Sequence, residues 1–196
     1  MSKARRVLIT LLVLGGMGAA AGWATSSAFS STTSNTGNSF AAGTVYIGDN
    51  DAGSAMYSVS NQKPGDTLTK CIKVTYTGSL DSSVKLYASA VDTVGTYVSL
   101  TVTPGTGSPT FPGCTGFTAA SGGAIYTGTL KGFADTYNSH ANGLALDVGA
   151  TSTWVTNDSV VYQFTLTMLD NNSANGGSGG ALTSGSHSFT WEARNL

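Results

Sequence analysis

Apolar and polar side chains alternate with a period of two over five separate stretches of this chain, a spacing that sends successive residues to opposite faces of a β-strand. Leu68, Ile72, Val74 and Tyr76 share one face with Lys70, and Thr69, Cys71, Lys73 and Thr75 share the other. Val84, Leu86, Ala88 and Ala90 alternate with Lys85, Tyr87 and Ser89, and Val98, Leu100 and Val102 with Ser99, Thr101 and Thr103. Val160, Tyr162, Phe164, Leu166 and Met168 alternate with Gln163, Thr165 and Thr167, and Phe189, Trp191 and Ala193 with Ser188, Thr190 and Glu192. Shorter strand candidates lie at 44–47, 55–59 and 151–155. Seven to nine strands with one apolar face each predict an all-β, antiparallel β-sandwich.

Turn chemistry separates these runs. Lys63-Pro64-Gly65-Asp66, Thr77-Gly78-Ser79 and Thr103-Pro104-Gly105 are turn sequences, and the Asn-, Ser- and Gly-rich stretch 170–180 predicts a mobile hairpin loop. One helix is expected, near 128–138, because Leu130, Phe133, Ala134 and Tyr137 fall at i, i+3, i+4 and i+7, with Thr127 or Thr129 as N-cap. Glu192 is the only glutamate, which disfavours a largely helical surface.

The N-terminus carries a different signal. Lys3, Arg5 and Arg6 precede an apolar run at 7–13 and then small residues at 15–22, the three regions of a secretory signal peptide, with an apolar core too short to span a bilayer comfortably. Cleavage after Ala24, before Thr25, and cleavage after Ser27, before Ala28, both suit a peptidase that wants small side chains. The second divides the chain into a signal peptide at 1–27, a polar N-terminal segment at 28–42 and a β-sandwich domain at 43–196. Without the leader, six Lys and Arg face ten acids, so no basic face for nucleic acid is expected.

Two cysteines, Cys71 and Cys114, lie in the exported part, and a single disulfide is the default for an oxidising compartment. Metal ligation or a nucleophilic role lacks partners at this spacing. The histidines, His140 and His187, have no HExxH or carboxylate cluster beside them, and His187 at the start of the last strand reads as a surface residue. Serine is abundant, but none stands at a strand-to-helix nucleophile elbow that would activate it. Asp49 and Asp51 are weak calcium candidates within Asp49-Asn50-Asp51-Ala52-Gly53, but Ser60 stands where a bidentate Glu would be needed and a plain turn is the better reading. No catalytic residues and no cofactor are therefore expected. Phe29, ahead of the polar tract 30–39, either docks on its own domain or adds with that tract to an exposed sheet edge elsewhere.

Trp23-Ala24 near Ala28-Phe29, then Asn38-Ser39-Phe40-Ala41-Ala42-Gly43-Thr44, then Asn61 through Lys70 with Lys63-Pro64-Gly65-Asp66, then Thr77-Gly78-Ser79-Leu80 and a closing Phe189-Thr190-Trp191-Glu192-Ala193, resemble the TasA/camelysin family of secreted bacterial proteins. The region 103–151 matches loosely. The resemblance implies a jelly-roll sandwich, trimming by a SipW-type signal peptidase between Ser27 and Ala28, and extracellular biofilm filaments built by donor-strand exchange. Ala28, Phe29 and Phe40 would belong to the donor region, with Val45 and Ile47 as further assembly candidates. Partners would be copies of the same chain or a related matrix fibre protein. Three extra residues before Ala28 and the cysteine pair depart from the family pattern. The expected function is thus a secreted structural component of an extracellular matrix, with a monomeric surface binding module as the alternative. A camelysin-like metalloprotease comes last, because the grouped ligands and general base it requires are missing from the sequence.

Overall fold

The computed structural model describes residues 39–171 and 183–196. Ala24, Thr25, Ser27, Ala28, Phe29 and nearly all of the 170–180 loop lie outside the described residues. Residues from Ala42 to Leu196 form one compact unit, and it holds every strand among the described residues.

Among the described residues, nine strands form two antiparallel sheets. In the larger, β1 (Ile47–Asp49), β2 (Thr67–Tyr76), β8 (Ser159–Met168) and β4 (Val98–Thr106) lie side by side, and β5 (Thr118–Ala119) and β6 (Tyr126–Thr129) both pair with the far edge of β4. The smaller sheet has the order β7 (Leu144–Leu146), β3 (Ser82–Ala88), β9 (Phe189–Asn195). A 3-10 turn, Thr93–Tyr97, precedes β4, and one helix, α1 (Leu130–Thr136), follows β6. Among the described residues no helix is long and apolar enough to cross a membrane.

The long alternating runs form the strands expected of them, because each has one face to bury. Ile72, Val74 and Tyr76 of β2, Tyr162, Phe164 and Leu166 of β8, and Leu100 and Val102 of β4 are buried together with Val84, Leu86 and Ala88 of β3. Register places the matching residues on one face: Val74 opposite Val160, Ile72 opposite Tyr162, and Phe164 opposite Val102. The helix closes one end of this core with Leu130, Phe133 and Ala134, and Phe133 packs edge-on to Tyr126 at 4.9 Å between ring centroids. Thr129 is its N-cap, its Oγ1 accepting from the Gly132 N–H at 3.0 Å.

Two weaker runs behave otherwise. Residues 55–59, a strand candidate by alternation, pair with no strand among the described residues and run as coil between Gly53 and Asn61, both at positive φ. Residues 151–155 contribute only isolated bridges, Val148 to Thr151 and Ser82 to Trp154. Three short strands, β5, β6 and β7, arise without an alternating signal, where a neighbouring edge offers a ladder.

Polar anchors fix the crossing from β2 to β3. The Tyr76 hydroxyl donates to the Leu80 carbonyl at 2.5 Å and lies 2.7 Å from Ser82 Oγ, the one fully buried polar side chain of the core among the described residues. Trp154, fully buried beside them, donates from Nε1 to the Leu146 carbonyl at 2.9 Å. Tyr76→Phe removes the hydroxyl and leaves Ser82 with fewer partners in a dry site. Urea titration should show a loss of about 1–3 kcal/mol, with an unchanged m-value.

Candidate functional site

The family-type motifs at the N-terminal end are the joinery of one sheet edge. Phe40 is 99% exposed. From Thr44 onward the chain is tied to its own domain: the Thr44 carbonyl accepts from the Ser79 and Leu80 N–H groups, and the Tyr46 carbonyl from Thr77 and Gly78. A Cβ on Gly78 would stand 2.7 Å from the Thr44 carbonyl oxygen, so this close approach needs glycine. Val45 leads into β1, and Ile47 pairs within β1 opposite Tyr76. Lys63-Pro64-Gly65-Asp66 is a turn closed by the Asp66 N–H to the Lys63 carbonyl, with Gly65 at φ 88°.

β1 covers only the last three residues of β2, Val74 to Tyr76. Beyond it Asn50 takes over, accepting from the Lys73 N–H at Oδ1 (2.8 Å) and donating its own N–H to the Lys73 carbonyl (3.2 Å). Next along the edge, the Cys71 N–H donates to the Pro112 carbonyl at 3.1 Å, and Cys71 is joined to Cys114 by the expected disulfide. Residues 107–117 thus fold as a flap over the edge of β2 and the outer face of the sheet. Cys71 and Val161, on the face the alternation assigns to solvent, are buried, and Phe117 lies so close over Gly105 that a Cβ there would meet its ring at 2.5 Å. The alternation could not reveal this, because the cover comes from an irregular loop.

The edge of β9, which lies beside β1, has no partner strand among the described residues. β9 pairs with β3 alone among the described residues. The Ser89 N–H to Ser188 carbonyl and Leu196 N–H to Asp81 carbonyl bonds fix the ladder parity, so the backbone groups of Phe189, Trp191 and Ala193 face away from β3. Their side chains are partly buried against the core. Along this edge lie two hollows. One of about 180 Å³ separates Phe189, Thr190 and Trp191 from Ile47, Gly48, Asp49 and Val74. The other, about 870 Å³, opens between residues 53–59 and 183–189, with Ile72 and Trp191 in its wall.

His187 belongs to this cleft, and it is partly buried rather than a surface residue. Its Nε2 lies 2.6 Å from the Tyr57 hydroxyl and its Nδ1 3.3 Å from the Gly185 carbonyl. Burial raises the pKa of the Tyr57 hydroxyl. The Trp191 Nε1 is buried with no hydrogen-bond partner.

Asp49 and Asp51 act as turn formers. Asp49 Oδ1 accepts from the Asp51 N–H at 3.0 Å, and Asp51 Oδ1 from the Gly53 N–H at 2.6 Å. Partial burial, with Asp51 nearby, raises the Asp49 carboxyl. Among the described residues no three His, Cys, Asp or Glu side chains stand close enough to hold a metal. Both ring nitrogens of His187 are engaged, and the charged neighbours of His140 are Arg194, Glu192 and Lys85, so this donor set does not fit a catalytic metal.

Residues 9–95 match the camelysin metallo-endopeptidase family. That stretch contains the motifs at Phe40 to Thr44, Lys63 to Asp66 and Thr77 to Leu80, and its match supports the resemblance to the TasA/camelysin family. No curated protein matches it.

Two measurements check this geometry. Replacing both Cys71 and Cys114 by Ser should cost about 3–4 kcal/mol on the chain-entropy account of a closed loop of this length, read by thermal or urea unfolding. On the outer face of the small sheet, Glu192 accepts from Arg194 Nε and from the Tyr87 hydroxyl, both at 2.8 Å, and these bonds, Arg194 first, hold its carboxyl below its ordinary value. Stabilisation from a depressed carboxyl is present above the unfolded value and lost as pH falls through the folded one. Tyr87→Phe should move the Glu192 titration upward in side-chain carbon NMR.

Proposed function

We propose that this chain is an exported structural subunit of an extracellular matrix, which assembles when the N-terminal segment 28–42 of one copy adds as a strand to the open edge of β9 in the next. The observation that carries the reading is that edge. Seven residues long, it is flanked by a cleft and has no partner strand among the described residues, whereas the β2 edge is roofed by a stapled flap. A donated strand would gain ladder bonds with Phe189, Trp191 and Ala193 and place alternate side chains between the sheets.

The segment 28–42 contains no charged residue, so burying it against the edge desolvates no ion. Among the described residues, the domain's own backbone bonds begin at Thr44. The match of residues 9–95 to the camelysin family supports this reading. Export through the signal peptide, with cleavage between Ser27 and Ala28, would release the donor segment from its leader.

The test compares the chain 28–196 with one that starts at Gly43. Electron microscopy should show filaments for the first and none for the second, and N-terminal sequencing of exported protein should begin at Ala28. Ala193→Pro removes one outward N–H without touching the ladder to β3 and should stop filament growth while leaving the fold's circular dichroism intact. Equal filaments from both lengths would sink the mechanism, and a stable monomer of 28–196 would favour a surface binding module instead.

A further inference from the structure

Residues 54–60 have an odd position. They leave the Asp49–Asp51 turn through two residues at positive φ, Ala52 at 52° and Gly53 at 77°, and end at a third, Asn61 at 55°. Between these hinges the backbone makes no ladder. Met56 and Tyr57 are half-buried against the core, while Ser58 and Val59 are exposed, Val59 by 51%. The segment forms one wall of the 870 Å³ cleft, whose other wall is the approach to β9. It therefore bridges the mouth between the two sheets as a strap.

What holds the strap down is small. Among the described residues, the Tyr57 hydroxyl contact with His187 Nε2 at 2.6 Å is the one polar tie between the strap and residues 183–191, supported by a tilted ring contact at 5.6 Å between centroids. The strap takes none of the outward N–H and C=O groups of Phe189, Trp191 and Ala193, and Trp191 Nε1 stays buried without an acceptor. A buried donor without a partner costs free energy that a better occupant would recover. A strand lying along β9 brings a row of carbonyls and N–H groups to those positions.

We infer that residues 54–60 are a displaceable plug of the β9 cleft, latched by Tyr57 on His187, which a strand from a second copy must lift before it can pair with β9. This rests on the reading of β9 as the acceptor edge. The exchange replaces the side-chain tie and the packing of Met56 and Tyr57 with several ladder bonds and the burial of the incoming side chains, and the latch sets a barrier that keeps isolated subunits closed. The positive-φ hinges at either end let the strap swing out without disturbing β1 or β2.

The experiment uses the mature chain from Ala28. Tyr57→Phe removes only the latch hydroxyl and should shorten the lag before assembly by roughly two- to tenfold, the effect of one modest hydrogen bond. Tyr76→Phe, which weakens the core away from the strap, is the control and should leave the lag unchanged. Chymotrypsin should cut after Tyr57 slowly in the monomer and quickly in the assembled protein, while amide exchange at Phe189, Trp191 and Ala193 slows on assembly. Slowed β9 amides with Tyr57 still resistant would overturn the plug and leave the acceptor edge standing. If the β9 amides exchange alike with and without assembly, the acceptor reading fails and the plug with it. A Tyr57→Phe lag equal to wild type also removes the latch.

Discussion

The structure is organised around β8. Its residues pair with β2 on one side, from Thr167 opposite Thr67 to Ser159 opposite Thr75, and with β4 on the other, from Met168 opposite Val98 to Val161 opposite Gly105. These ladders join segments far apart in sequence, so their loop-closure entropy is large. What offsets it is the apolar row Val160, Tyr162, Phe164 and Leu166, which faces β3 and β9 across the core. The large sheet cannot slip by one residue without turning that row to water.

This dependence explains which parts of the fold were legible in the sequence. Where a strand buries one face along most of its length, as β3 and β8 do, or over its C-terminal half, as β2 does, period two announces it. The helix was legible from Leu130, Phe133 and Ala134, and its cap from Thr129. The two- to four-residue strands were not, since Thr118–Ala119 or Leu144–Leu146 is too short to show a period and exists because an edge of β4 or β3 stands next to it. Residues 55–59 misled in the other direction: the alternation of Ala55, Tyr57 and Val59 with Met56 and Ser58 is real, but they make no ladder bonds among the described residues.

The candidate site was legible only in part. The cysteine pair is joined as expected, yet nothing in the spacing of Cys71 and Cys114 revealed that their bond holds a flap on the outer face. The open edge of β9 could not be seen from one strand's pattern, because an edge is defined by the absence of a neighbour. The burial of His187 was hidden for a similar reason. Its partner, Tyr57, is 130 positions away in an irregular segment, and the pair forms only once the two sheets have stacked.

The disulfide also has a mechanical meaning. Its ring, closed across a separation of 43 residues, takes in most of β2 and all of β3 and β4, so it threads both sheets into one covalent loop. A chain pulled from its two ends can therefore never release that loop, which at about 3.4 Å per residue withholds some ~150 Å of extension. Load would instead pass from the N-terminal edge through the Cys71–Cys114 link towards β8 and β9, and β3 would stay enclosed even after the ladders around it had given way.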